Sequence, residues 1–227
     1  MYQQQFAEIS ARYRRFAEEE ARGRSPLYEQ LANGVADDQE VLAFLATLPK
    51  DKQQPNLLLG AVRHLFGLLG SWNEFRRRIT ANFDDVRTLM LARSTQTNEP
   101  ARCATLLPIL AQLPQPLALI EVGASAGLNL LPDFYSYDFG GVVLRATAPT
   151  VEAPLFSCKV NEAAPLPAAM PKIVWRAGLD LNPLEVSDPE QAVWLERLVW
   201  PEQRHRLARS ARGHQSCQIG PAQRDQG

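Results

Sequence analysis

With 227 residues, 45% of them hydrophobic and 22% charged, the chain has the composition of a globular protein with ample material for a core. A formal net charge of −1 gives no overall pull toward nucleic acid or an anionic membrane. No apolar run approaches the roughly 18 residues that a membrane span needs, and three scattered cysteines are too few for a disulfide framework or a zinc cluster.

The N-terminus, Met1 to Phe6, lacks the basic and apolar regions of a signal peptide, so the cytoplasm is the expected location and no metal is expected. Phe6, Ile9, Tyr13 and Phe16 fall at helical spacing among mixed charges, which predicts a bundle helix rather than a membrane-surface one. Gly23 and Ser25-Pro26 end that helix and open another carrying Leu27, Tyr28 and Leu31. Val41 to Leu48 predicts a short apolar helix stopped by Pro49. Leu57 to Leu69 predicts a buried helix, apolar on most of its circumference, and Phe83 to Arg93 continues the helical pattern. His64, inside the apolar helix, is expected to be a packing residue.

A further helix is predicted from Asn98, with Pro100 in its first turn, ending at Pro114 and Pro116. Thr97 or Asn98 would cap it, with Glu99 favouring its positive end. That account leaves Gln96 and Arg102 unexplained, so Gln96, Asn98, Glu99 and Arg102 are candidates for a substrate pocket as well as for capping. Leu117–Val122 then reads as a buried strand. Val142–Leu144 and Leu155-Phe156 could be short strands of an insertion. Ile173 to Leu179 is a longer strand ending at Asp180. Ser187-Asp188-Pro189-Glu190 resembles a capping box opening a helix through Val199. Residues 210–227 are expected to be disordered.

The segment most telling about function runs from Glu121 to Gly127: Glu-Val-Gly-Ala-Ser-Ala-Gly, a small-residue turn between a strand and the expected start of a helix. Glycines there permit close approach of a ligand to backbone, and helix N–H groups would aim at it. In a nucleotide-binding unit an acid after the next strand holds the ribose, a role open to Asp180. Asp180 lies 53 residues beyond Gly127, where about 20 is usual, so an inserted hairpin is required over roughly 135–170. Ser125 at the middle glycine position is tolerable if its φ is negative. From Gly123 the same residues also match the Gly-x-Ser-x-Gly nucleophile elbow of serine hydrolases, with Asp180, Asp188, His205 and His214 as partners by chain order. A third reading is a packing turn with no ligand. The elbow fits poorly, because helices stand upstream where an oxyanion strand and loop are needed.

Several segments together resemble one bacterial family of unassigned activity, with a helical N-terminal half and a methyltransferase-like Rossmann domain. They are Phe16 to Gly23 with Ser25 to Tyr28, Gln54 to Leu58, Thr95 to Glu99 with Arg102-Cys103, Glu121 to Leu130, Gly178 to Leu184, and Val199 to Gln203. The resemblance runs from about Ala11 to Arg209 and breaks near Ser210, which suggests a C-terminally truncated chain. It implies an α/β fold: a helical region over 1–116, an incomplete Rossmann-like sheet over 117–209, and the tail. It also implies S-adenosylmethionine as cofactor, with Glu121, Gly123, Ser125, Gly127 and Asp180 binding it and methyl transfer to an unidentified acceptor. A partial sheet would leave an exposed edge open to self-association. The alternative is a remnant or helical interaction module without catalysis.

Overall fold

The computed structural model describes residues 2–96, 99–147, 153–185, 187–202 and 223–224. The chain divides into two compact units, one formed by Met1–Gln96 with Val193–Arg204 and the other by Thr97–Ala192 with His205–Gly227. It is a mixed α/β protein, with eight α-helices and two small sheets among the described residues.

The first unit is helical. α1 (Tyr2–Arg15) continues through a wider π-helical turn, Phe16–Ala21, before Gly23 at φ +73° reverses the chain. Ser25 then caps α2 (Pro26–Asp37), its Oγ accepting the Tyr28 N–H at 3.1 Å, as the Ser-Pro signal predicts. Asp38 caps α3 (Gln39–Ala46). α4 (Pro55–Phe66) ends at Gly67, φ +76°, so the expected apolar helix stops short of Leu68, which is exposed. α5 (Trp72–Thr80) follows, and α6 (Phe83–Ala92) completes the first run. No periodicity in the sequence marks α5, although it opens with a capping-box pair. Ser71 Oγ accepts the Glu74 N–H at 3.3 Å, and the Glu74 carboxylate accepts the Gly70 N–H at 3.2 Å.

One continuous core takes Ile9, Tyr13 and Phe16 from the first helical stretch, Tyr28, Leu31 and Val35 from α2, and Leu57 to Leu59 from α4. Residues 193–202 finish it. Trp194 is buried in this core and its indole N–H donates to the Ser94 carbonyl at 3.1 Å. Trp200 stacks edge-on against Phe16 and donates to Asn56 Oδ1 at 2.9 Å. Glu202 accepts from Ser25 Oγ at 2.6 Å and from the Leu27 N–H at 3.2 Å, fastening the start of α2. The Ser25-Pro26, Gln54-Pro55-Asn56 and Trp200-Pro201-Glu202 segments thus meet as structural ties.

The second unit begins with α7 (Arg102–Leu110), which starts four residues later than expected from Asn98. Glu99 accepts the Ala101 N–H at 3.2 Å, whereas Thr97 and Asn98 lie outside the described residues. β1 (Leu117–Val122) pairs in parallel with β5 (Ile173–Leu179), in the register Ala118↔Trp175, Ile120↔Ala177, Val122↔Leu179. The expected insertion between them is a small separate sheet. Its middle strand β2 (Ser136–Asp138) lies antiparallel to β3 (Val143–Leu144) and parallel to β4 (Leu155–Ser157). β2 is three residues long, too short for periodicity to reveal, and it is held by Tyr135, Tyr137 and Phe156, all fully buried. α8 (Pro189–Leu198) is capped by Asp188 rather than Ser187, since Asp188 Oδ1 accepts the Glu190 N–H at 2.9 Å. Within the expected disordered tail, Gln223–Arg224 forms the two-residue strand β6 against β5; the rest lies outside the described residues. No helix among the described residues is long and apolar enough to cross a membrane.

Candidate functional site

Parallel pairing of β1 and β5 brings their carboxyl ends side by side, and both segments singled out in the sequence leave from there. The Gly123 N–H donates to the Leu179 carbonyl at 2.8 Å and the Ala124 N–H to the same oxygen at 3.2 Å. The loop therefore starts pinned to the last residue of β5. Gly123, Ser125 and Gly127 have φ of +78°, +51° and +72°. Ser125 thus violates the condition of a negative φ, at a cost of roughly 1–2 kcal/mol for a residue with a Cβ. Such strain persists only where surrounding contacts impose it.

Those contacts are visible. Asp180 Oδ2 accepts the Ser125 N–H at 2.7 Å, Asp180 Oδ1 accepts the Asn182 N–H at 2.8 Å, and the Leu184 N–H donates to the Ser125 carbonyl at 3.2 Å. A carboxylate offers about four lone-pair sites, and the two backbone N–H groups take two of them. The Asp180 carboxylate is therefore held in place while retaining capacity for a hydroxyl pair. Below the loop, Gly178 leaves no room for a side chain. A Cβ built there would lie 2.7 Å from Ala124 Cβ. A shallow depression is lined by Ala124, Ser125, Gly127, Leu130, Gly178, Asp180 and Pro183.

The expected helix after the turn does not form. Leu128–Leu130 and Pro132–Phe134 are single 3₁₀ turns. Pro132 forces Leu131 out of the helical region, to φ −114° and ψ 39°, and has no N–H to donate. That proline, five residues after Gly127, was the signal in the sequence against a helix. The loop consequently has no helix dipole behind it, and the anion-binding argument that rests on one lapses.

Glu121 sits near the end of β1, facing the same side as Gly178. Its Oε1 accepts from Asn129 Nδ2 at 2.9 Å, while its buried Oε2 has no hydrogen-bond partner among the described residues. Burial pushes its carboxyl above the ordinary range. The Asn129 hydrogen bond and the Arg102 charge pull it back, and the Asp180 charge adds to the rise. Two carboxylates thus share this end of the sheet, one of them under-compensated. Neighbouring Cys103 lies with Sγ 3.5 Å from the Asn129 carbonyl, and burial raises its thiol to about 12, leaving a neutral packing group rather than a nucleophile. Arg176 pairs with Asp133 at 3.0 Å and lies over the Phe134 ring, buttressing the turn that follows.

Glu121, Gly123, Ser125, Gly127 and Asp180 therefore converge on one strand end. Glu99 and Arg102 belong to the same unit, Gln96 belongs to the helical unit, and Asn98 lies outside the described residues. The hydrolase partners His205 and His214 lie outside them too, and Ser125 itself is buried. His64 belongs to the helical unit, its ring edge-on to Trp194 at 6.0 Å, in keeping with a packing role. Among the described residues no group of three His, Cys, Asp or Glu is placed to hold a metal ion.

The profile of a family described as "Uncharacterized protein conserved in bacteria (DUF2332)" matches residues 10–67 and 68–217, and the chain belongs to that family. Neither the curated proteins nor the solved structures contain a match to it.

Proposed function

We propose that this member of the family binds S-adenosylmethionine at the carboxyl ends of β1 and β5 and is built on a methyltransferase plan. The observation that carries the reading is the pair of carboxylates, Glu121 and Asp180, flanking a loop of left-handed residues on adjacent parallel strands. Ligands of open α/β sheets bind outside the carboxyl ends of the strands. The charge of this site selects among them. A dinucleotide would bring a pyrophosphate toward two carboxylates with no helix dipole to offset the repulsion. S-adenosylmethionine brings a sulfonium and an ammonium, and a cation beside Glu121 relieves the cost of its uncompensated oxygen.

Within this reading Asp180 accepts the ribose hydroxyls, held ready by the Ser125 and Asn182 N–H groups. The Gly123–Gly127 backbone borders the methionine end, and Glu121 faces the cationic groups. Bound cofactor supplies an electrophilic methyl group. The protein's part is to position and to exclude water, with the acceptor side assigned to Glu99 and Arg102 of the same unit. The depression as it stands is far smaller than the ~300 Å³ at which ligand pockets begin, so the loop must open for the cofactor, which would lie largely exposed to solvent.

Calorimetric titration of S-adenosylmethionine and S-adenosylhomocysteine into the folded chain tests this. Expected is micromolar binding, tighter for the cationic sulfonium, and weakened about tenfold by Asp180→Asn, the loss of one charge-assisted hydrogen bond. No heat from a cooperatively folded protein would sink the proposal and leave a non-catalytic interaction module.

A further inference from the structure

Side chains alternate along β1, so Leu117, Leu119 and Glu121 lie on the side of the loop and the 3₁₀ turns after it, while Ala118, Ile120 and Val122 face the other way. The in-register pairing adds Trp175, Ala177 and Leu179 to that second face. None of these six carries a charge or a hydrogen-bonding group apart from the Trp175 indole N–H. The face is open: Ile120 is 65% exposed, Val122 82%, Trp175 43% and Leu179 46%, with Leu181 fully exposed just beyond β5. A parallel sheet is ordinarily covered on both faces.

We propose that this face docks on the same face of a second copy of the chain, forming a two-fold sheet-on-sheet dimer. An uncharged apolar patch can meet its own copy under two-fold rotation, and two copies at a net charge of −1 repel each other little. It offers no charged group with which to select a different polar partner. At these exposures the face presents on the order of 600 Å² per copy, so a pair buries about 1,200 Å², the lower end of stable specific interfaces. At that size little free energy is left after the cost of association, so a weak dimer is expected. It stands apart from the cofactor site, which lies at the strand ends and not on this face.

Sedimentation velocity of the full chain from about 1 to about 100 µM reads the outcome. Expected is a rise from monomer toward dimer mass. Val122→Asp, at a position already open to water, should raise the dissociation constant at least tenfold while retaining the parent's circular dichroism. A monomer throughout the range overturns the proposal, as does a dimer indifferent to Val122→Asp. Should that variant misfold, hydrogen exchange on the parent chain decides the matter. Protection on concentration must appear at β1 and β5, and protection confined to other segments overturns the proposal. S-adenosylmethionine binding by a monomeric Val122→Asp variant would keep the two readings separate.

Discussion

The helical unit and the sheet unit solve the same burial problem to different degrees. In the first, every helix from α1 to α6 contributes buried residues to one core, and residues 193–202 return to seal it with Trp194, Trp200 and the Glu202 cap. In the second, the face of β1 and β5 that meets the glycine loop is half-buried, and the opposite face is open. The lesson is that a short parallel sheet can have its ligand end built by local contacts while its layer remains half covered. Site geometry and core completeness are separate achievements, and they fail separately.

The comparison is broken most severely at the seal. Trp194→Ala removes a fully buried indole and its hydrogen bond to Ser94, and should destabilise the helical unit by about 3–5 kcal/mol. Urea denaturation followed at 222 nm would register it, with hydrogen exchange at β1 and β5 tracking the sheet unit independently. If both units lose stability equally, they do not fold as separate cores. Next in size is Gly178→Val, whose Cβ would fall 2.7 Å from Ala124 Cβ. The overpacking should cost about 1–3 kcal/mol in the sheet unit and displace the loop. Calorimetry should then find cofactor binding abolished, while the helical unit melts as before.

Ser125→Gly sharpens the contrast from the opposite direction. Relief of the positive φ favours the variant and extra chain entropy opposes it, so thermal unfolding should show a gain of at most about 1 kcal/mol. A loss instead would mean that the Ser125 side chain stabilises the loop by more than its backbone strain costs.

The smallest effect is pH-dependent. Glu121 has its carboxyl pKa raised in the folded state, mainly by burial, so the fold holds that proton more tightly than the unfolded chain. This contribution to stability is complete below the unfolded value, near about pH 4, and is lost as pH rises through the folded value. Glu121→Gln should therefore be the more stable protein at pH 7 and equal to the parent below about pH 4. Equal melting temperatures at both pH values would show that the buried oxygen is compensated in solution.

The helical unit was legible because its signals are local. Gly23 and Ser25-Pro26 specify a reversal and a cap within four residues, and the spacing of Ile9, Tyr13 and Phe16 marks a single face. α5 shows the limit: Ser71 and Glu74 spell its capping box, but Trp72, Phe75 and Ile79 are too few for a periodicity to stand out. In the sheet unit the strand Leu117–Val122 and the strand ending before Asp180 could be read from apolar runs. The helix expected after Gly127 could not survive Pro132, a local signal outweighed by the glycine pattern. Other features were beyond reach for a physical reason. The bond from the Ser125 N–H to Asp180 spans 55 positions, and the sign of φ at Ser125 is imposed by that contact and not by its neighbours in sequence. The side of β1 left uncovered is likewise a property of the assembled layers, since alternation tells which residues share a face but not which face is covered.

The return of residues 193–202 to the helical unit makes the 97–192 segment an interruption in a discontinuous domain. During synthesis the first 96 residues leave the ribosome without Trp194, Trp200 or Glu202. At 5–20 residues per second their core stays unsealed for roughly 5–20 seconds while the interruption is made. Helices that are complete in sequence must wait that long for the tryptophans that lock them. The helical unit is therefore open to proteases and chaperone capture until residues 193–202 emerge, well after its own helices have been made.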